Sequence, residues 1–175
     1  MASAVIVRAR LPAGLEALRR TWVDEAGRGL PAHLTMLYPF VEPDGLRPET
    51  RSAIAAVATH HEPIDYEVRG PRSWPNVIYA GVEPADPFIR LQADLAAAFP
   101  AFPIYGGPPG FRFEPHITVA EGPAIDGVRV TTDRAWTSLP AAGRAVRLDV
   151  IADDGSGWKR IWSLPLGRRV PARHG

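Results

Sequence analysis

Two short stretches of the chain carry one pattern. The first is Pro31-Ala32-His33-Leu34-Thr35-Met36-Leu37-Tyr38-Pro39-Phe40. The second is Phe113-Glu114-Pro115-His116-Ile117-Thr118-Val119-Ala120. In each, a histidine and a threonine alternate with aliphatic residues. A strand sends side chains i and i+2 to one face and i+1 and i+3 to the other. His33 and Thr35 are therefore expected to share one face while Leu34 and Met36 enter a core. His116 and Thr118 repeat this over Ile117 and Val119. An imidazole beside a hydroxyl, presented twice, can grip a phosphate from two sides. One such motif is weak evidence, because a half-buried histidine bonded to a neighbour explains it equally well. Two copies on apolar strands, both preceded by proline, carry the signal.

The rest of the chain reads as alternating strands and helices. Residues 4–8 form a short apolar strand. Leu15, Leu18, Trp22 and Val23 recur at helical spacing, which predicts a helix over 13–26 stopped by Gly27 and Gly29. Pro48 suits the first turn of a helix over 47–60. Ile64, Tyr66 and Val68 alternate with polar residues, and with 77–82 they predict an antiparallel pair around a turn at Gly70, Pro71 and Pro75. A helix over 87–99 follows, then an irregular loop over 103–110. Beyond Gly122 the pattern weakens. Residues 128–132 read as strand or loop, and 133–139 as a short helix. A strand over 144–151, with Val146, Leu148 and Val150 inward, is paired through a loop at 153–157 with a strand over 158–166. A polar tail runs from Gly167.

A helix precedes each His-Thr strand, and a strand-turn-strand pair follows each. The motifs are 116 − 33 = 83 residues apart, close to half of 175. This spacing predicts duplication and a pseudo-twofold arrangement of two α+β lobes in one domain. The chain has no Cys, which removes disulfides and thiolate chemistry. No apolar run reaches membrane-spanning length, so a cytoplasmic, soluble protein is expected. The formal net charge is +1, and Lys159 is the only lysine among 20 cations. That charge offers no global attraction for long nucleic acid, so short substrates are expected to be handled nearly as well as long ones.

The paired motifs resemble those of the 2H phosphoesterases, especially the 2′-5′ RNA ligase-like branch. His33-Leu34-Thr35-Met36 running into Tyr38-Pro39-Phe40 is similar to that branch's first motif, and Phe113-x-Pro115-His116-Ile117-Thr118-Val119 to its second. The second motif of the family often continues into a basic residue; here Glu121 stands nearby. The resemblance implies an α+β, duplicated bilobal fold, with two antiparallel sheets and flanking helices around a central cleft. It implies phosphodiester chemistry without a metal or other cofactor, on nucleotides or RNA ends carrying a cyclic phosphate. His33 and His116 then serve as general acid and base, in an order left open. Thr35 and Thr118 donate to the non-bridging oxygens.

Weaker candidates surround these four. Tyr38 is expected to turn into the cleft, and Arg112 to hold a terminal phosphate. Tyr105, Phe111 and Phe113 are candidates for a base platform, with Trp74 and Trp158 as more distant ones. A metal on the two histidines would want a third ligand, for which Glu114 is the only local carboxylate. His60 and His61 follow a helix and read as solvated residues favouring its dipole. No membrane partner is expected, and a monomer is. Two alternatives stay open: a 2H enzyme for another cyclic phosphate metabolite, and a non-catalytic nucleotide- or RNA-binding module.

Overall fold

The computed structural model describes residues 1–107 and 110–167. The strands are β1 (Ala2–Arg8), β2 (His33–Leu37), β3 (Ile64–Trp74), β4 (Val77–Glu83), β5 (His116–Glu121), β6 (Ala141–Ala145), β7 (Arg147–Asp153) and β8 (Trp158–Pro165). The α-helices are α1 (Ala13–Trp22), α2 (Asp24–Gly27), α3 (Pro48–Ala58), α4 (Asp86–Ala98) and α5 (Gly127–Thr131). Two four-stranded antiparallel sheets result, in the orders β2-β1-β7-β8 and β5-β4-β3-β6. Each His-Thr strand is the edge of its sheet, and β2 lies beside β5. The expected bilobal α+β architecture is therefore present, but the sheets are not the two halves of the sequence. The hairpin β7–β8 joins the N-terminal strands, and the first sheet is closed by the end of the chain.

The duplication is visible as β1-α1-β2 and β4-α4-β5. The helices cross over: α1 packs on β5, and α4 on β2. Leu15 of α1 and Phe88, Leu91 and Leu95 of α4 are fully buried in a core shared with both sheets. Each such side chain contributes about 1.5–3 kcal/mol through removal from water.

The strand pairings carry a matching irregularity. Ile6 pairs with Thr35 but Val5 with Leu37, leaving Met36 as an extra residue. Tyr79 pairs with Thr118 but Ile78 with Ala120, leaving Val119 extra. A bulge thus follows the threonine in both copies. It explains why Met36 and Leu37, and likewise Val119 and Ala120, are consecutive buried residues.

Several expected boundaries move. The helix over 13–26 breaks at Val23, whose backbone is extended, so α1 and α2 are separate. The strand beginning at Ile64 runs through Gly70 and Pro71 to Trp74, with a register shift between Arg69 and Arg72 absorbing the irregularity. The turn sits at Pro75-Asn76, with Asn76 at φ 61°. Residues 127–131 are helical rather than extended, and 134–138 form a 3-10 turn. The strand expected over 144–151 is two strands, β6 in one sheet and β7 in the other. Val146, expected inward, lies at this crossing and is 39% exposed. The tail beyond Gly167 lies outside the described residues, as do two residues of the 103–110 loop. Among the described residues no helix is long and apolar enough to cross a membrane.

Candidate active site

His33 and His116 are held by the same local device. His33 Nδ1 lies 2.7 Å from the Pro31 carbonyl oxygen. His116 Nδ1 lies 2.7 Å from the Glu114 carbonyl oxygen. A carbonyl only accepts, so each Nδ1 carries the proton and donates it. In the neutral ring Nε2 then keeps its lone pair. For His33 that nitrogen is 3.1 Å from Thr35 Oγ1, so the threonine hydroxyl donates to it. As expected from alternation, Leu34, Met36, Ile117 and Val119 are fully buried on the other face.

The charges around the two rings differ. Burial pushes the His33 imidazole down to about 4, opposed by the Pro31 carbonyl; the charges of Arg19 and His116 push it further down. His116, 9% exposed, is also lowered by burial, but the Glu114 carbonyl and carboxylate both favour its protonated form.

Each ring also faces an arginine across its strand pair. Arg8 is the β1 residue opposite His33. Opposite His116 stands Gly81. A Cβ on Gly81 would lie 2.8 Å from the Arg72 guanidinium, so the missing side chain admits Arg72 from β3. Arg72 in turn reaches Glu114 Oε1 at 3.2 Å and Glu83 Oε1 at 3.1 Å. The Tyr79 hydroxyl donates to Glu114 Oε1 at 2.9 Å, and burial followed by that carboxylate pushes the phenol up to about 12. Glu114, weighed above as a metal ligand, thus has its carboxylate engaged by two donors.

Comparison with known proteins places these motifs. The profile of the 2′-5′ RNA ligase superfamily matches residues 7–156, which span both motifs. The chain belongs to the 2′-5′ RNA ligase superfamily. Two proteins named "Putative phosphoesterase", from Geobacillus thermodenitrificans (strain NG80-2) and Geobacillus kaustophilus (strain HTA426), are each 31% identical to it over 93 residues. Each alignment covers 51% of this chain and 51% of the relative, so the chain matches about half the length of these relatives. TT0787 of Thermus thermophilus superposes with a TM-score of 0.62 at 22% identity, covering 96% of this chain and 100% of that one. E. coli LigT complexed with 3′-AMP superposes with a TM-score of 0.56 at 16% identity, covering 95% and 98%. These structures share the fold.

Among the weaker candidates, the fold positions some near the histidines and leaves others away. Tyr38 is three residues beyond Thr35, so plain alternation would set it on the opposite face. The bulge at Met36 restores it: Leu37 is buried and Tyr38 is 38% exposed. Trp74 stacks on Tyr79 with centroids 4.1 Å apart and meets His116 edge-on at 4.7 Å. It closes β3 and is 38% exposed beside His116. Tyr105 follows a different route. Its backbone is left-handed at φ 52°, its N–H donates to the Tyr38 carbonyl at 2.6 Å, and burial raises its phenol. Tyr105 meets Phe111 edge-on at 5.7 Å. Phe113 packs on the core. Arg112 is exposed and makes no hydrogen bond or ion pair among the described residues. Trp158 donates to Glu25 at 2.6 Å and fastens α2 to β8. His60 donates to the Ala56 carbonyl in the last turn of α3, as its helix-end position suggests. His61 reaches Asp94 of α4 at 2.8 Å, so it tethers two helices.

Sequence reading missed Arg8, Arg72 and Tyr79, and the deepest miss is Arg19. It is 2% exposed, and its Nη2 donates to the Pro31 carbonyl at 3.2 Å, the same oxygen that orients His33. Its Nη1 is buried, makes no hydrogen bond and lies 3.7 Å from Glu16 Oε1, and burial lowers the guanidinium's pKa against the Glu16 charge. The signal was present: Arg19 is four residues after Leu15, so it occupies the apolar stripe of α1.

Proposed function

We propose that the chain is a metal-independent phosphoesterase acting on 2′,3′-cyclic phosphodiesters or 2′-5′ linkages of RNA ends or small nucleotides. The observation that carries this reading is the matched pair of imidazoles, each with Nδ1 tied to the carbonyl two residues earlier and Nε2 left for proton transfer. Superfamily membership and the resemblance to LigT, solved with 3′-AMP, support a nucleotide phosphate as the reacting group.

In the hydrolytic direction one imidazole takes a proton from water as its oxygen bonds to phosphorus. The bond from phosphorus to a ribose oxygen breaks, and the second imidazole protonates that oxygen. Solvent exchange then restores both rings. Thr35 and Thr118 donate to the non-bridging oxygens, where charge accumulates. For the first motif this frees Nε2 of His33, because the Thr35 hydroxyl turns from the ring to the phosphate. The surroundings support His33 as base and His116 as acid. Burial and Arg19 keep His33 neutral, while Glu114 favours the imidazolium at His116.

A leaving-group comparison tests both the reaction and the assignment. Purified protein in EDTA is expected to open a 2′,3′-cyclic mononucleotide, and loss of activity restored by zinc or manganese would overturn metal independence. On a p-nitrophenyl phosphodiester, whose leaving group needs no proton, His116→Ala is expected to lose far less activity than on the cyclic nucleotide. His33→Ala is expected to lose activity on both. The opposite pattern reverses the roles, and no turnover of any cyclic phosphate defeats the reading.

A further inference from the structure

The net charge of +1 conceals a local concentration of arginine. Where the ends of β1 and β3 meet β6 and β7, a groove of about 750 Å³ is lined by Arg8, Arg10, Arg144, Arg147 and Arg160. The same groove holds two carboxylates, Asp65 and Asp149. Both are occupied. Asp65 takes Arg144 through two contacts of 3.0 and 3.1 Å. Asp149, fully buried, accepts from Ser163 at 2.6 Å, and its second oxygen is unpartnered except for the distant Arg160 guanidinium at 4.0 Å. The remaining three, Arg8, Arg10 and Arg147, are exposed and form no ion pair among the described residues. Five cations against two carboxylates leave 5 − 2 = 3 unbalanced positive charges in one groove. Guanidinium groups lining one groove repel one another, and an anion held there removes that cost.

The groove is also connected to the site above. Arg8 is the cross-strand neighbour of His33, and Ile6 pairs with Asp149 in the same sheet. A smaller hollow shares Arg8, Asp149 and Arg160 with the groove and is lined as well by Pro31, whose carbonyl orients His33. Arg160 lies on β8, three strand spacings from β2, or about 14 Å. That is too far to touch a phosphate held at His33, so the groove runs from Arg8, beside that phosphate, to arginines that would serve a further one.

We propose that this groove is a second anion site, which holds the phosphodiester backbone of a single-stranded oligonucleotide whose reacting end lies at His33 and His116. The proposal rests on the phosphoesterase reading for the location of that end, and it replaces the expectation that substrate length is nearly indifferent. Binding can be measured without turnover. A His33→Ala/His116→Ala protein would be titrated by fluorescence anisotropy with a labelled RNA decamer ending in a 3′-phosphate, with a nucleoside 3′-monophosphate as competitor, across a salt series.

The decamer is expected to bind at least about tenfold more tightly than the mononucleotide. The slope of log K against log salt is expected to be steeper for the decamer by about 2, the value for three phosphates on a single strand. Arg8→Gln/Arg10→Gln/Arg147→Gln is expected to abolish most of both differences. Arg47→Gln/Arg51→Gln/Arg90→Gln, which removes equal charge from exposed positions at the start of α3 and on α4, is expected to retain them. If the triple variant melts early, Arg10→Gln and Arg147→Gln singly should each remove part of the slope. Equal behaviour of groove and control variants overturns the proposal, as does a decamer that binds no better than the mononucleotide. So does a groove-dependent gain seen with a nucleoside diphosphate but not with the decamer. Groove-dependent binding by a protein that turns over no cyclic phosphate would defeat the enzymatic reading and leave the groove standing. Turnover without groove dependence would do the reverse.

Discussion

Beside His33 stands a buried guanidinium, and beside His116 stands a carboxylate. The backbone treats the two rings alike, with one carbonyl contact of 2.7 Å each and one bulge after each threonine. The helices and neighbouring strands treat them differently. Arg19 reaches the first ring's anchor from α1, whereas Arg72, Tyr79 and Glu114 surround the second from the sheet. A duplicated scaffold holds two imidazoles alike in unequal surroundings, and the proposed division of labour rests on that inequality. Burial lowers both rings, and only His116 has a carboxylate beside it that opposes the shift.

The comparison breaks most severely when either ring is removed. His33→Ala and His116→Ala are each expected to cost about 10²–10⁴-fold in kcat. The double variant should be little worse than the worse single one, because the two act as a unit. Far-UV circular dichroism and melting must show folded protein. A folded single variant with near wild-type turnover would end the claim that this pair does the chemistry.

Removing the hydroxyls tests whether the copies are equal at the phosphate. Thr35→Val and Thr118→Val are each expected to lower kcat by about 10²-fold, as for loss of one donor to a developing oxyanion. Thr35→Val should additionally change the pH dependence, since only Thr35 bonds a histidine Nε2 among the described residues.

The charges themselves can be exchanged next. Glu114→Gln keeps an acceptor for Tyr79 but deletes the negative charge beside His116. The basic limb of the kcat/KM profile should move to lower pH, with about tenfold or less lost at neutral pH. Arg19→Met should move the acidic limb upward, because His33 is then easier to protonate. Its Tm should stay or rise, since a buried guanidinium gives way to an apolar side chain and its ion-pair partner Glu16, 3.7 Å away and part-exposed, keeps access to water. A melt that collapses, or an acidic limb that stays in place, would remove Arg19 from the account.

The smallest effect is on stability. His33 binds its proton in the unfolded chain near pH 6.5 and in the folded protein only at about 4. Between these values the unfolded state holds more protons, so stability rises with pH and is lost as pH falls from about 6.5 toward 4. His33→Gln should flatten the Tm profile in that window relative to the parent, which differential scanning calorimetry at matched ionic strength would show.

How much of this could be read from the chain follows from the range of the interactions. The faces of β2 and β5, the aliphatic partners of both motifs, α3, α4 and the β7–β8 hairpin are matters of local period and turn chemistry. They were legible in residues such as Leu34, Ile117, Pro48 and Gly155. The paired motifs sufficed to suggest the family to which the chain belongs. Other features depended on which segments meet. The break at Val146 exists because β6 and β7 serve different sheets, and alternation alone cannot report a change of sheet. The bulges at Met36 and Val119 are properties of a strand pair, so Tyr38 could not be oriented from its own strand. Arg19 is a helix residue 33 − 19 = 14 positions before His33, near it only because α1 crosses to β5 and passes the Pro31 carbonyl. The arginines of the groove come from β1 and the segment after it, β6, β7 and β8, and a net charge summed along the chain cancels what the fold has gathered in one place. Local pattern determined the chemistry presented by the two strands. Tertiary packing, which carries Arg19 on α1 to the Pro31 carbonyl and Arg72 on β3 to Glu114, decided how unequal the surroundings of the two histidines are.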